Sequence, residues 1–173
     1  MDDRLQTFEE HRSLLFSIAY RMLGSVMEAE DVVQESYLRY MATESDEIQF
    51  PKAFLSTIVT RLALDQLKSA RYKREEYIGP WLPEPVLTAD APDELLARHE
   101  SISMAFLLLL ETLSPVERAA FLLREVFDYE YGAIAEMIGK SEVNCRQIYS
   151  RAKSIFNRAR LSSIRRRKRN NSW

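Results

Sequence analysis

A cluster of polar side chains near the C-terminus has the chemistry needed to read base pairs. Five such residues fall on the outward side of one predicted helix: Glu142, Asn144, Arg146, Gln147 and Ser150. Most of them are types that hydrogen-bond the base edges exposed in a major groove. Their grouping predicts a DNA-reading surface, and the alternative is an ordinary helical hairpin with a solvated polar face.

A helix-turn-helix pattern would position this surface. Gly139 provides a residue suited to positive φ that ends the first helix, and Ser141 can cap the second. The apolar face of the first helix is Tyr131, Ile134, Ala135 and Ile138, and that of the second is Cys145, Ile148, Ala152, Ile155 and Phe156. Because these faces repeat at mostly three- and four-residue steps, we expect both helices to pack on one core.

Composition excludes several other classes of protein. With 46% hydrophobic and 29% charged residues, the chain of 173 residues is expected to fold rather than remain disordered. No apolar run approaches the roughly 18 residues of a membrane span, and the N-terminal residues form no basic-then-apolar leader, so a cytoplasmic protein without membrane attachment is expected. The single cysteine, Cys145, excludes an internal disulfide and multi-cysteine zinc sites, and no cofactor or metal is predicted.

Charge is distributed unevenly although the net charge is only −2. From Arg151 to Arg169 there are nine Lys or Arg and no acid, whereas residues 1–150 carry 15 bases and 26 acids. A second basic block lies at 61–74, where Asp65 is the only acid. Two basic patches on an otherwise acidic chain predict two places that meet phosphate. The run from Arg165 to Arg169 is predicted to be a disordered tail that adds nonspecific affinity.

Prolines divide the chain into two small all-α domains. Pro80, Pro83, Pro85 and Pro92 interrupt a pattern that is helical on both sides. The predicted units are a helical domain at 1–77, a Pro-rich linker at 78–92, a helix-turn-helix domain at 93–161 and a basic tail at 162–173. The expected helix boundaries are set by capping patterns at Ser25 and Ser114 and by Gly24 and Pro51 at helix ends.

Several motifs in consecutive order resemble those of the extracytoplasmic-function sigma factors of bacterial RNA polymerase. They occupy 31–39, 54–65, 113–118 and 151–152, so the resemblance covers nearly the whole chain. Residues 19–25 and the linker strip Trp81, Leu82, Pro83, Glu84 and Pro85 resemble a subgroup that usually carries a SnoaL-like domain, and this chain ends before any such domain. We expect the strip to set the placement of two domains that sample several arrangements when free.

The resemblance implies a docking site for core RNA polymerase on the second helix. The residues that match are Asp31, Val32, Gln34, Glu35 and Tyr37. Residues 28–35 contain four acids and no base and would complement a basic helical partner, while Val32 and Tyr37 would offer apolar contact. Alternatively, the acids only favour a helix N-terminus through the helix dipole.

The resemblance also implies two modes of promoter recognition. The nontemplate strand of the minus-ten element would be captured by Ile48, Gln49, Phe50, Arg61, Asp65 and Lys68, while Phe54 is expected in the core. The minus-thirty-five element would be read as duplex, with Arg146 and Gln147 at base edges and Arg151 and Lys153 at phosphates. The backbone at Ser141 would hold a phosphate at the helix N-terminus.

The sequence thus favours a sigma factor, which is not an enzyme and whose partners are core RNA polymerase and promoter DNA. An anti-sigma or other regulatory protein is a further expected partner, and the free chain is expected to be monomeric. A stand-alone helix-turn-helix regulator is the alternative, which would need a dimer interface to pair half-sites. An α-helical enzyme is disfavoured, because no grouping of His, Cys and carboxylate has useful spacing and only four glycines are present.

Overall fold

The computed structural model describes residues 3–75 and 104–170, which form seven α-helices, one short 3₁₀ turn and no strand. The predicted all-α class is confirmed. The helices are α1 (Asp3–Leu23), α2 (Val26–Ala42), α3 (Pro51–Glu75), α4 (Met104–Leu110), α5 (Pro115–Glu125), α6 (Tyr131–Ile138) and α7 (Glu142–Asn170), with the 3₁₀ turn at Ser45–Glu47. The linker strip from Trp81 to Pro85 lies outside the described residues.

Helices α1, α2 and α3 pack on one another as the first helical unit. Apolar residues on α1 and α3, such as Leu15, Ile18 and Val59, are fully buried between them. Gly24 adopts a φ of 70°, which lets the chain leave α1 without the strain that a side chain would add. Ser25 then caps α2 by accepting a 3.3 Å hydrogen bond from the backbone N–H of Glu28, as its sequence pattern predicts.

Helices α4 to α7 form the second unit. A capping box opens α5: the Ser114 hydroxyl accepts from the Glu117 N–H, and the Glu117 carboxylate accepts from the Ser114 N–H. Leu122 on α5 is fully buried, and the ring of Phe121 stacks on that of Phe156 on α7 with centroids 4.6 Å apart. These contacts fix α7, which carries the predicted reading face, against the other helices.

The two units pack against each other through α1 and α3 on one side and α5 and α6 on the other. Arg118 of α5, only 5% exposed, donates to the carbonyl oxygen of Met22 at 2.7 Å and also pairs with Glu111 at 2.9 Å. Ser56 and Tyr129 join the units again through a 2.6 Å hydroxyl hydrogen bond. The structure therefore holds the two units in one packed arrangement, and the sampling of further arrangements by the free chain stays a prediction. Local periodicity gave no sign of these contacts because the partners are 96 and 73 residues apart.

The prediction of a disordered tail at 162–173 is wrong for its described part, because α7 continues as one helix to Asn170. No Gly or Pro follows Gly139 to stop it. Arg is a good helix former, and the cations in the last turn, Arg167, Lys168 and Arg169, are favoured by the helix dipole.

We predict that Leu122→Ala lowers the free energy of unfolding by about 2–5 kcal/mol, because it leaves a cavity at a fully buried site. Leu161→Ala is the matched control, since Leu161 is 52% exposed on α7. Urea denaturation of both variants measures the difference. Equal losses at the two positions would contradict the assigned core.

Candidate nucleic-acid interface

The turn between α6 and α7 has the geometry of a helix-turn-helix. Gly139 adopts a left-handed conformation with a φ of 68°, and the Lys140 N–H closes the end of α6 by donating to the Ala135 carbonyl at 3.0 Å. Two residues later Ser141 caps α7 by accepting from the Asn144 N–H at 3.1 Å. Both roles follow the sequence prediction, and together they turn the start of α7 outward.

The start of α7 separates a buried face from a polar one. Cys145, Ile148, Ala152 and Phe156 are buried, as predicted, and Ile155 is half-buried. All of the predicted reading residues are exposed: Ser141, Glu142, Asn144, Arg146, Gln147, Ser150, Arg151 and Lys153. The structure thus brings the candidate set together on accessible surface, and its contact with DNA stays a prediction.

Cys145 is a packing residue in this structure. Its side chain is fully buried as a free thiol on the core side of α7. Burial raises the pKa of the thiol, with a smaller contribution from nearby Glu142. Since the reactive form of cysteine is the thiolate, both effects keep Cys145 unreactive.

Each predicted cation on this face already has a carboxylate partner. Arg146 pairs with Glu142 at 2.9 Å, Arg151 with Glu117 at 3.4 Å, and Lys153 with Glu125 at 2.9 Å. Exposed pairs of this kind are weak, so DNA phosphates can replace the carboxylates. The three cations are therefore available to a polyanion but do not form a bare positive surface.

Aromatic rings hold two of these cations in place. The Arg146 guanidinium lies 4.4 Å from the ring centre of Tyr131. The second cation, Lys153, donates to the Tyr149 hydroxyl at 3.3 Å, and this hydroxyl in turn donates to the Glu125 carboxylate. Hydrogen bonds from Tyr149 and Lys153 lower the pKa of Glu125, so this acid stays ionised. Sequence reasoning missed both tyrosines in this role. Tyr149 and Glu125 are 24 residues apart and no local pattern relates them.

The residues predicted to capture a single strand lie along α3 and the loop before it. Gln49 and Phe50 are exposed, with 72% of Phe50 accessible, while Ile48 is half-buried against the core. Arg61, Asp65 and Lys68 are exposed and share one face of α3 because they are spaced by four and three residues. Phe54, predicted to be in the core, is half-buried and packs on it.

Arg61 is engaged by the second helical unit. Its Nη2 donates to the Glu136 carbonyl at 2.8 Å and its Nε to the Met137 carbonyl at 3.4 Å, at the C-terminal end of α6. A cation is favoured there because the last carbonyls of a helix carry partial negative charge. The packed arrangement thus occupies a side chain that the sequence predicted to be a strand contact.

Two further groups complete the contact between the units. The Arg21 guanidinium, 7% exposed, lies 5.5 Å from the ring centre of Phe127, and burial lowers its pKa. Tyr129, which bonds Ser56, has a pKa raised by burial.

The predicted polymerase site on α2 is partly corrected. Asp31, Gln34 and Glu35 are exposed, but Val32 is only 5% exposed and belongs to the core. It lies one turn from Ala29 and Ser36, which are buried too, so helical periodicity turns it inward. Tyr37 is half-buried, with its ring centre 4.9 Å from that of Phe8.

Two exposed apolar side chains on α2 escaped the sequence analysis. Met27 is 74% and Leu38 is 55% exposed. Met27, Asp31, Gln34 and Leu38 follow one another at steps of four, three and four residues, so all four lie on one face of α2. That spacing was the signal that could have identified them in place of Val32.

Two features are absent from residues 3–75 and 104–170. Among these residues, no group of three or more His, Cys, Asp or Glu could hold a metal ion. None of the described helices is long and apolar enough to cross a membrane.

Two family models match the chain. Sigma-70 region 2 matches residues 7–72, and Sigma-70, region 4 matches residues 103–155. The first range contains nearly all of the first helical unit. The second contains the helix-turn-helix and all buried residues of α7 except Phe156.

Curated relatives of the chain are also described as sigma factors. The chain is 46% identical to the ECF RNA polymerase sigma factor SigJ of Mycobacterium tuberculosis over 149 residues, which is 84% of this chain and 47% of that protein. It is 28% identical over 151 residues to the ferric citrate uptake sigma factor FecI of Escherichia coli, covering 84% of this chain and 86% of FecI. The chain spans about half the length of the mycobacterial relatives it matches.

Solved structures share the fold. The crystal structure of Mycobacterium tuberculosis SigJ superposes with a TM-score of 0.70 at 42% identity, covering 87% of this chain and 52% of that chain. The sigma factor RpoE of Bartonella quintana, crystallised with the anti-sigma factor NepR, has a TM-score of 0.68 at 19% identity, covering 92% and 97%. At 19% identity the second match concerns the fold alone.

We predict that Arg61→Ala combined with Tyr129→Phe loosens the packing of the two units. Each lost hydrogen bond is worth about 1 kcal/mol, so the balance between packed and open forms should move more than tenfold. Small-angle scattering of the free chain should then show a larger radius of gyration. Lys68→Ala, on the same face of α3, is the control, and equal scattering curves for the two variants would contradict the prediction.

Proposed function

The chain belongs to the extracytoplasmic-function family of RNA polymerase sigma factors, and we propose that it directs RNA polymerase to specific promoters. In this proposal it docks on core polymerase in the cytoplasm and reads promoter DNA without chemistry of its own. The observation that carries the proposal is the exposed polar face of α7, built on a helix-turn-helix and lying within the segment that matches Sigma-70, region 4.

Duplex recognition would use the start of α7. Arg146 and Gln147 suit base edges, because guanidinium and amide groups can make two hydrogen bonds to one base. The contacts of Arg146 with Glu142 and Tyr131 support this role, since they restrict the guanidinium before DNA arrives. Arg151 and Lys153 would exchange their carboxylate partners for phosphates.

Strand capture would use the loop before α3 and the outer face of α3. Phe50, largely exposed, is suited to stack on an unpaired base, and Gln49 can bond a base edge. Arg61 could contact the strand only after releasing the carbonyls at the end of α6. The proposal therefore requires the two helical units to separate when the minus-ten element is opened.

Docking on polymerase would use the outer face of α2. Asp31 and Glu35 provide negative charge, and exposed Met27 and Leu38 provide apolar area on the same side. A face of this kind suits a helix that carries basic and apolar side chains. Regulation by an anti-sigma protein also remains part of the proposal, as a partner that the sequence predicted.

Run-off transcription with core RNA polymerase on a promoter library tests the proposal. We expect initiation at a subset of promoters only when the chain is present. A chain that binds DNA but never supports initiation with core polymerase would favour the stand-alone regulator instead.

We predict that Asp31→Lys with Glu35→Lys weakens binding to core polymerase severalfold, because charge complementarity steers and orients docking. Glu9→Lys with Glu10→Lys is the matched control, since it makes the same charge change on exposed positions of α1. Pull-down with core polymerase at increasing salt measures both. The docking site is wrong if the two double variants behave alike.

We predict that Arg146→Ala costs about 1–3 kcal/mol on the preferred duplex element and relaxes selection at one or two base pairs. Lys153→Ala should weaken all sequences alike and reduce the salt dependence by about one phosphate contact. Competition binding on single-base variants at several salt concentrations separates the two effects. Equal losses on every variant for Arg146→Ala would remove it from the base-reading set.

A further inference from the structure

Helix α7 extends far beyond the core that supports it. Phe156 is its last buried residue, and residues 157–170 continue the helix by about 21 Å at 1.5 Å per residue. Apart from half-buried Ala159, every residue of this extension is exposed. The extension, 157–170, is therefore held by its own backbone hydrogen bonds and by its continuity with the packed start of α7.

The extension carries seven Lys or Arg and no acid. Like charges three or four residues apart, as at Arg165, Lys168 and Arg169, oppose helix formation. A solvated helical segment of this length is marginal on its own. A polyanion bound along it would remove the repulsion and stabilise the helix.

Ion pairing differs between the two halves of α7. At its start Arg146, Arg151 and Lys153 each pair with a carboxylate. Among the residues that the structure describes, no ion pair joins a carboxylate to Arg158 or Arg165, and Arg158 only bonds the Ser154 hydroxyl. Arg158 and Arg165 therefore need not leave a carboxylate of the described residues before they meet phosphate.

The register of the helix aligns these cations with the predicted reading face. Asn144, Arg151, Arg158 and Arg165 are seven residues apart. Two helical turns take about 7.2 residues, so side chains at this spacing point nearly the same way, with about 10.5 Å between them. An arginine stripe thus continues from the start of α7 along the extension.

We propose that the extension is a second DNA site that binds the phosphate backbone of duplex DNA without regard to sequence. This proposal rests on the proposed function, because it requires that the start of α7 faces the same duplex. Duplex DNA carries a negative charge about every 1.7 Å along its axis, a density that suits a helical segment rich in arginine and without acids. The extension supplies affinity for duplex DNA of any sequence. The cations at the start of α7, which are paired with acids, bind phosphate only where base contacts hold the helix to the duplex.

An acidic protein surface is the competing occupant. Leu161 and Ile164, 52% and 46% exposed, are the apolar side chains of the extension that such a partner would bury. The collinear arginine stripe favours DNA, because it prolongs a face already assigned to a duplex.

The test measures binding of the full chain to a labelled mixed-sequence duplex, several helical turns long, over a range of salt concentrations. Arg158→Gln with Arg165→Gln should reduce the slope of log affinity against log salt by roughly 1.8, at about 0.9 per phosphate contact. Arg12→Gln with Arg39→Gln is the control, because it removes the same charge from exposed residues of α1 and α2. It should keep the original slope.

Charge-preserving variants separate binding from folding. Arg158→Lys with Arg165→Lys should restore the slope, and circular dichroism should show that the Gln variant keeps its helical content. The proposal is overturned if the Gln variant loses no more slope than the control, or if the Lys variant fails to restore it. It is also overturned if Leu161→Ser with Ile164→Ser weakens core polymerase binding while the arginine variants leave DNA binding intact.

The measurement of the salt slope uses no promoter and no polymerase. A failure of run-off transcription would overturn the sigma-factor function while leaving the result on mixed-sequence DNA standing. Conversely, if the chain initiates transcription normally and the Gln variant keeps the original salt slope, only the role of the extension is overturned.

Discussion

The arrangement of the two helical units depends on a guanidinium that is buried between them. A buried charge must be hydrogen-bonded or paired, because leaving it unpaired costs several kcal/mol. Arg118 bonds the carbonyl at the end of α1 in the other unit and the carboxylate of Glu111 in its own. Pulling the units apart would break the first bond and expose the second to water. The orientation of α5 against α1, and with it the placement of the helix-turn-helix, follows from this requirement.

The second constraint is the distribution of charge along α7. Carboxylates from α5, together with Glu142 of α7 itself, neutralise the cations that are predicted to meet DNA at the start of the helix. A duplex must replace these acids, and it recovers that cost only where base contacts hold the helix in the groove. Acids near a reading face thus oppose binding to arbitrary sequence. The proposed DNA contact of Arg158 and Arg165, at the far end of the same helix, would act in the opposite direction.

Much of the fold could be read from local signals, and the exceptions share a cause. Gly24, Gly139 and the caps at Ser25 and Ser114 act within a few residues of their own position, so the helix ends they define matched the sequence analysis. The errors concern which side of a helix is covered and by what. The resemblance places Val32 on the docking face, whereas its side chain is buried in the core. The contact of Arg61 with the end of α6 could not be foreseen because the partner lies 75 residues away, and its contact with DNA stays a prediction. The extension of α7 was missed because a run of like charges resembles a tail, although no residue in it breaks a helix.

Under the proposed function, the packed arrangement gives the two promoter elements different access. The reading face of α7 is exposed while the units are packed, whereas Arg61 cannot bond the α6 carbonyls and a DNA strand at the same time. A ligand can shift the equilibrium from the packed form to an open form only by binding the open form more tightly than the packed one. Under the same proposal the chain docks on polymerase through α2 of the first unit, so polymerase is the partner that could bind the open form more tightly. Strand capture by α3 would then be confined to chains already docked, while the exposed start of α7 and its extension would remain able to meet duplex DNA before opening.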